Sequence, residues 1–187
     1  MRAALLVVVA LAQLSYARQA LDLGRTRDDA LFEAFNRGYE LPPGQALDRA
    51  EIVTEFRRAV LIVRDHASAG EYGFSERDLA KAMEPFAGLV TFVAQARLNP
   101  LHTFVSVPPY DLYVSTGPAT RPLAPKPMKR DPVYPPGMSL GSAVVAVRLE
   151  GTFRRADLEK AVAPMLTVTD EKADILWQAR IDLSRYR

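Results

Sequence analysis

Gly88-Leu89-Val90-Thr91-Phe92-Val93-Ala94-Gln95-Ala96 is the stretch on which the fold turns. Its valine, threonine and phenylalanine content is that of a strand, and a helix through the same residues is the alternative. Pro85 stands just before it and ends any arriving helix near Met83–Glu84, because it removes a backbone donor and disfavours helix at the preceding residue. With a strand here, the chain changes character at Pro85.

On the N-terminal side the language is helical. Thr26-Arg27-Asp28-Asp29 resembles a capping box with Asp at N3, followed by the apolar stripe Leu31, Phe32, Phe35 and a stop at Gly38. Leu41-Pro42-Pro43-Gly44 is a turn. From Ala46 to about Ala67, Leu47, Val53, Phe56, Val60 and Val63 recur at helical spacing, and Gly70 lies just past the end. Ser75 with Asp78 at N3 caps a third helix, with Phe74 able to staple against Leu79.

On the C-terminal side the segments 103–107, 110–116, 142–153, 165–169 and 175–183 read as strands. Asp170 to Asp174 is a polar hairpin connection, and Ala156 to Ala163 a short helix or helical turn. Alternation places Ile175, Trp177, Ala179 and Ile181 on one face, with core packing the default for the tryptophan and an exposed ligand platform the alternative. Gly117 to Met138 breaks the pattern. It holds seven of the 14 prolines, with Arg121, Lys126, Lys129 and Arg130 against a single Asp131. So many prolines favour extended polyproline geometry, and so long a loop inside a domain is either functional or a solvated insertion.

The first residues carry a different message. Met1-Arg2, the apolar run Ala3 to Ala12, and small residues Ser15 and Ala17 at −3 and −1 follow the grammar of a secretory signal peptide, with the mature chain starting near Arg18. The run is short of the ~20 residues a membrane span needs, so no stable span is expected after cleavage. Left uncleaved, the segment would tether the domain to the membrane. The expected organisation is a signal peptide over 1–17, a helical region over 18–84 and a β-rich region over 85–187 with a proline-rich insertion at 117–138. Residues 18–187 can also form one domain.

Composition bounds the chemistry. There is no cysteine, which excludes disulfides, thiolate nucleophiles, zinc–thiolate sites and a lipoprotein anchor. The net charge of +2 falls to +1 once Arg2 leaves with the signal, far from the basic stripe of a nucleic-acid binder. Basic residues are mostly arginine, and alanine, valine, leucine and proline abound. GC-rich coding produces that bias, and with the leader it points to a bacterial protein in the periplasm or medium. No phosphate-binding glycine motif occurs, so no cofactor is expected.

The two histidines, His66 and His102, are the candidate acid–base residues. Glu71 or Asp65 would orient His66, with Ser68 as nucleophile, and the alternative is a histidine at a helix C-terminus. His102 can be drawn into a triad with Ser106 and Asp111, but no nucleophile elbow surrounds Ser106. The histidines lack metal-ligand spacing, and Asp170, Glu171 and Asp174 lack that of a calcium loop. No metal is expected. The proline-rich arm is the leading functional candidate, with Arg121, Lys126, Lys129, Arg130 and Tyr134 as binding residues for a protein or anionic envelope component. A preformed extended segment loses little entropy on docking.

These features together predict an α+β fold, with N-terminal helices packed with a mainly antiparallel β-sheet or small β-sandwich. They predict an exported, non-enzymatic interaction, assembly or ligand-binding protein, with an exported hydrolase built on a histidine and a carboxylate as the alternative.

Overall fold

The computed structural model describes residues 16–99, 103–104, 106–117, 121–138, 143–161 and 163–186. The apolar run Ala3–Ala12 and His102 lie outside them. The fold is α+β, with five helices and two antiparallel sheets of four and three strands among the described residues. Contacts divide the chain into two units, one holding Tyr39–Ile52 with Gly88–Tyr186 and the other the helices before Gly38 together with Val53–Ala87.

The helical unit contains α1 (residues 16–24), α2 (Asp29–Arg37), α3 (Glu55–Ser68) and α4 (Glu76–Met83). Asp28 caps α2, its carboxylate accepting from Leu31 N at 3.0 Å, so the cap sits two residues beyond Thr26. Thr26 Oγ1 instead accepts from Asp28 N at 3.2 Å. Ser75 and Asp78 form the reciprocal capping box of α4, and Pro85 lies in a 3-10 turn, Glu84–Phe86, directly after it. Ala20, Leu21, Phe56, Ala59, Val60, Val63 and Leu79 make the core of this unit, with Phe32, Phe35 and Phe74 packed against it.

The helix expected from Ala46 begins only at Glu55, where Thr54 Oγ1 accepts from Arg57 N at 3.4 Å. Leu47–Val53 is instead a strand, β1. Leu47, Ala50, Ile52 and Val53 are buried, whereas the 3.6-residue stripe belongs to Phe56, Val60 and Val63 alone. The region 18–84 is therefore not wholly helical.

β1 enters a sheet of order β1-β2-β5-β4, with β2 at Leu89–Arg97, β4 at Met128–Val133 and β5 at Ala146–Arg154. Leu89–Arg97 is thus a strand, central in its sheet and buried along most of its length. Thr91 and Thr152 face each other across β2 and β5, and their hydroxyls bond at 3.0 Å, which satisfies two polar groups inside the sheet. A second sheet of order β3-β6-β7 is formed by Asp111–Ser115, Met165–Thr169 and Ile175–Arg180. α5 (Arg155–Glu159) follows β5.

Two strand expectations need correction. In the segment 103–107 the described residues make a single bridge, Phe104 with Val144, and Val105 lies outside the described residues. On β7, Trp177 and Ala179 are buried, as is Ile181 just past its end, but Ile175 is 58 % exposed. A register shift between Val168 and Thr169 inserts one residue on β7, which breaks the alternation between Ile175 and Trp177. Trp177 is a core residue, with Nε1 donating to Pro42 O at 3.2 Å. A Cβ on Gly44 would lie 3.0 Å from that nitrogen, so only glycine lets the Leu41–Gly44 turn close on the indole.

Candidate functional site

The proline-rich segment is part of the fold. Met128–Val133 pairs with β5 in antiparallel register as the edge strand β4. Pro132 is tolerated because an edge strand has a row of groups with no ladder to complete. Upstream, Leu123 and Val114 exchange both backbone hydrogen bonds, at 2.8 and 3.0 Å. Lys126 N then donates to Thr152 O at 2.7 Å, and Thr152 N to Pro127 O at 3.1 Å. Residues 121–127 therefore link β3 of the three-stranded sheet to β5 of the four-stranded sheet. Gly151 marks the crossing, since a Cβ there would sit 2.7 Å from Leu112 Cδ2 and 3.0 Å from Pro125 Cβ. Of the two alternatives the sequence leaves for this loop, a solvated insertion does not describe 121–133: β3 supplies a partner for Leu123 N, and β5 supplies partners for Lys126 N and the strand that follows.

The arm stands as a ridge between two hollows. One, about 580 Å³, has Leu123 and Phe153 among its apolar lining residues and Arg121, Lys126 and Arg154 as its cations. Arg154 Nε bonds Asp157 Oδ2 at 2.9 Å. Arg121 and Lys126 are exposed and make no ion pair among the described residues. The other hollow, about 470 Å³, shares Pro122 and Ala124 and adds Leu112, Met128 and Arg130.

The binding candidates therefore separate. Arg121 and Lys126 share a hollow. Arg130 does not offer a free cation: its guanidinium pairs with Asp111, and its Nε donates to Tyr110 O at 2.6 Å. Asp111, a catalytic candidate in sequence, is thereby half of a β3–β4 clasp. Lys129 is exposed and lies opposite Glu150 on β5, and Tyr134 is half-buried just past the end of β4. Sequence reasoning missed Phe153, Arg154 and Asp157. Their own local signal, an Arg–Asp pair three residues apart at a helix start, does not reveal that the arm lies beside them.

Of the catalytic candidates, His66 and Glu71 do meet, with Nδ1 2.5 Å from Oε2. The ring stacks on Phe74 with centroids 3.9 Å apart. Glu71 N also donates to His66 O at 2.9 Å, so the pair closes the turn after α3. Asp65 makes no bond to His66, nor does Ser68, among the described residues. Ser68 lines a separate shallow hollow with Arg25, Arg64 and Tyr72. Ser106 is exposed, and its triad with His102 lies outside the described residues. Asp170 Oδ1 accepts from Lys172 N and Asp174 N, both at 2.9 Å, which is the work of a hairpin turn. Among the described residues no cluster of three or more histidine, aspartate or glutamate side chains has the geometry to hold a metal. Nor is any helix among them long and apolar enough to cross a membrane.

Burial raises the Tyr110 hydroxyl above its ordinary value, and the charges of Glu171 and Asp170 add to the effect. Asp48 is held below the ordinary carboxylate range, first by the hydrogen bond from the Arg97 side chain and then by that from Gln95, against some desolvation. The Asp48 effect belongs to the β1–β2 contact, whereas Tyr110 is the residue whose carbonyl accepts from Arg130 of the arm. No family model, no curated protein and no solved structure matches this chain.

Proposed function

We propose that this is an exported, non-enzymatic interaction module of the periplasm or medium, and that it docks an acidic segment of a partner protein beside the proline-rich arm. One observation carries the reading: a concave groove of about 580 Å³ is built from the arm and the end of β5, with two exposed cations and apolar residues along it. Cations without acidic partners favour an anionic ligand and steer its approach. Concavity favours a segment that inserts side chains over a flat bilayer. The arm's backbone bonds to β3 and β5 hold the groove open before binding, so little ordering entropy is lost.

Deleting the arm is an unsuitable test, because it would remove β4 and the link between the sheets. Charge reversal of the exposed cations is the better one. A fluorescein-labelled peptide of alternating glutamate and leucine is titrated into wild type and the Arg121→Glu/Lys126→Glu double variant at low and high salt. Binding should weaken about tenfold in the variant, the ~1.4 kcal/mol that two exposed attractions amount to, and should weaken with salt in the wild type. Equal affinity in both proteins, or binding only to phosphatidylglycerol vesicles, would overturn the reading.

A further inference from the structure

A second set of cations lies wholly within the helical unit. Arg25, Arg27 and Arg64 line one hollow of about 280 Å³, together with Thr26, Ser68 and Tyr72. Backbone carbonyls hold two of the three guanidiniums in place. Arg25, at the end of α1, donates to Phe74 O, and to Tyr72 O at 3.4 Å. Arg64, on α3, donates from Nη1 to Thr26 O at 2.5 Å and lies over the Phe32 ring, 4.6 Å from its centroid. A carbonyl fixes a guanidinium but leaves its charge in place. Asp29 pairs with Arg64 Nη2 at 2.8 Å, while Asp28 is occupied in capping α2, accepting from Leu31 N. Arg25 and Arg27 have no ionic partner among the described residues. Helix C-termini attract cations, and the clasping of carbonyls accounts for Arg25 and Arg64. Neither accounts for Arg27, which is exposed in the link to α2 and makes no hydrogen bond or ion pair among the described residues.

We infer that this hollow binds the phosphate group of a small soluble phosphomonoester. Such a group carries about −1.5 to −2 charges at neutral pH, which matches the two cations left without an ionic partner. A carboxylate, with one charge, would leave one of them unanswered. The terminal phosphate oxygens suit arginine forks, which bind phosphate in bidentate pairs. The Ser68 hydroxyl adds a further donor at the rim. Because the forks of Arg25 and Arg64 are fixed beforehand, little side-chain entropy is lost on binding. The volume lies just below the ~300–1,000 Å³ range of small-molecule pockets, which limits the ester to a small organic group. The site lies within the helical unit, apart from the proline-rich arm, and does not rest on the groove.

The test is a calorimetric titration of the full chain with phenyl phosphate, and with benzoate as the carboxylate of similar shape. Saturable binding of phenyl phosphate at one site per chain is expected, with benzoate binding more weakly. Arg27→Ala removes no hydrogen bond of the fold, so it should leave the melting temperature unchanged and weaken binding about tenfold, the loss of a charge-assisted contact. Arg27→Lys, which keeps the charge but not the fork, should restore part of that loss. The Arg121→Glu/Lys126→Glu variant should bind phenyl phosphate as the wild type does, so this site and the groove can fail separately. Absence of saturable binding, equal affinity in wild type and Arg27→Ala, or equal affinity for benzoate would overturn the assignment. Loss of binding in the Arg121→Glu/Lys126→Glu variant would overturn it too, by placing the anion at the arm.

Discussion

Replacing Leu123 by proline tests whether the arm holds the two sheets together. Leu123 N donates to Val114 O at 2.8 Å, and Val114 is fully buried in β3. Proline has no such donor. The lost bond is worth about 1 kcal/mol net, and leaving a buried carbonyl without that partner costs about 1–3 kcal/mol. Leu123→Ala is the control, because it removes the same half-buried side chain, at about 1 kcal/mol of apolar burial, yet keeps the N–H. The proline variant should therefore be about 1–3 kcal/mol less stable than the alanine variant. With a urea dependence of about 2 kcal/mol/M, the two midpoints should differ by about 0.5–1.5 M. An arm lying loosely on the surface predicts no difference. If the two midpoints agree within about 0.2 M, the link between β3 and β5 through residues 121–127 contributes nothing, and the preformed groove loses its basis.

Two further outcomes follow from local geometry. Gly44→Ala would put a Cβ 3.0 Å from Trp177 Nε1 and force the indole off Pro42 O, so it should cost about 2–4 kcal/mol and shift the emission of the single tryptophan. Unchanged emission and stability would refute that packing. The Asp48 carboxyl is held below its ordinary 3.8 by Arg97, so the stability it contributes is complete above that value and is lost as pH falls below it. Asp48→Asn should be less stable than wild type at pH 7, and the difference should shrink as pH falls below 3.8. Parallel curves for the two proteins would contradict the assignment.

The elements readable from sequence are those set by their own neighbours. Ser75 and Asp78 satisfy each other's backbone within one turn, Pro85 stops its helix sterically, and the Asp170–Asp174 hairpin is closed by Asp170 itself. Elements set by distant partners were not readable. Leu47 to Val53 carries residues at helical spacing, yet it becomes a strand because Ala46 O and the Asp48 side chain find partners on Arg97 and Gln95, about 50 residues away. The only local hint is Thr54, a good cap placed where a continuous helix would have no use for one. β4 was hidden for the same reason: Lys-Arg-Asp-Pro at 129–132 reads as a solvated loop until β5 supplies its edge. The site followed suit. Arg121 and Lys126 were visible as uncompensated cations, whereas Arg130 was spoken for by Asp111, and Phe153 and Arg154 join the groove only through the fold.

Amide hydrogen exchange at Leu123, Val114, Lys126 and Thr152 tests most directly the claim that the arm is an ordered part of the fold with a preformed groove on its flank. Leu123 and Lys126 should exchange with protection comparable to the β2–β5 ladder, because their bonds open only when the sheets part. Exchange at Leu123 and Lys126 near the rate of an unstructured chain, with β2 and β5 protected, would contradict the account.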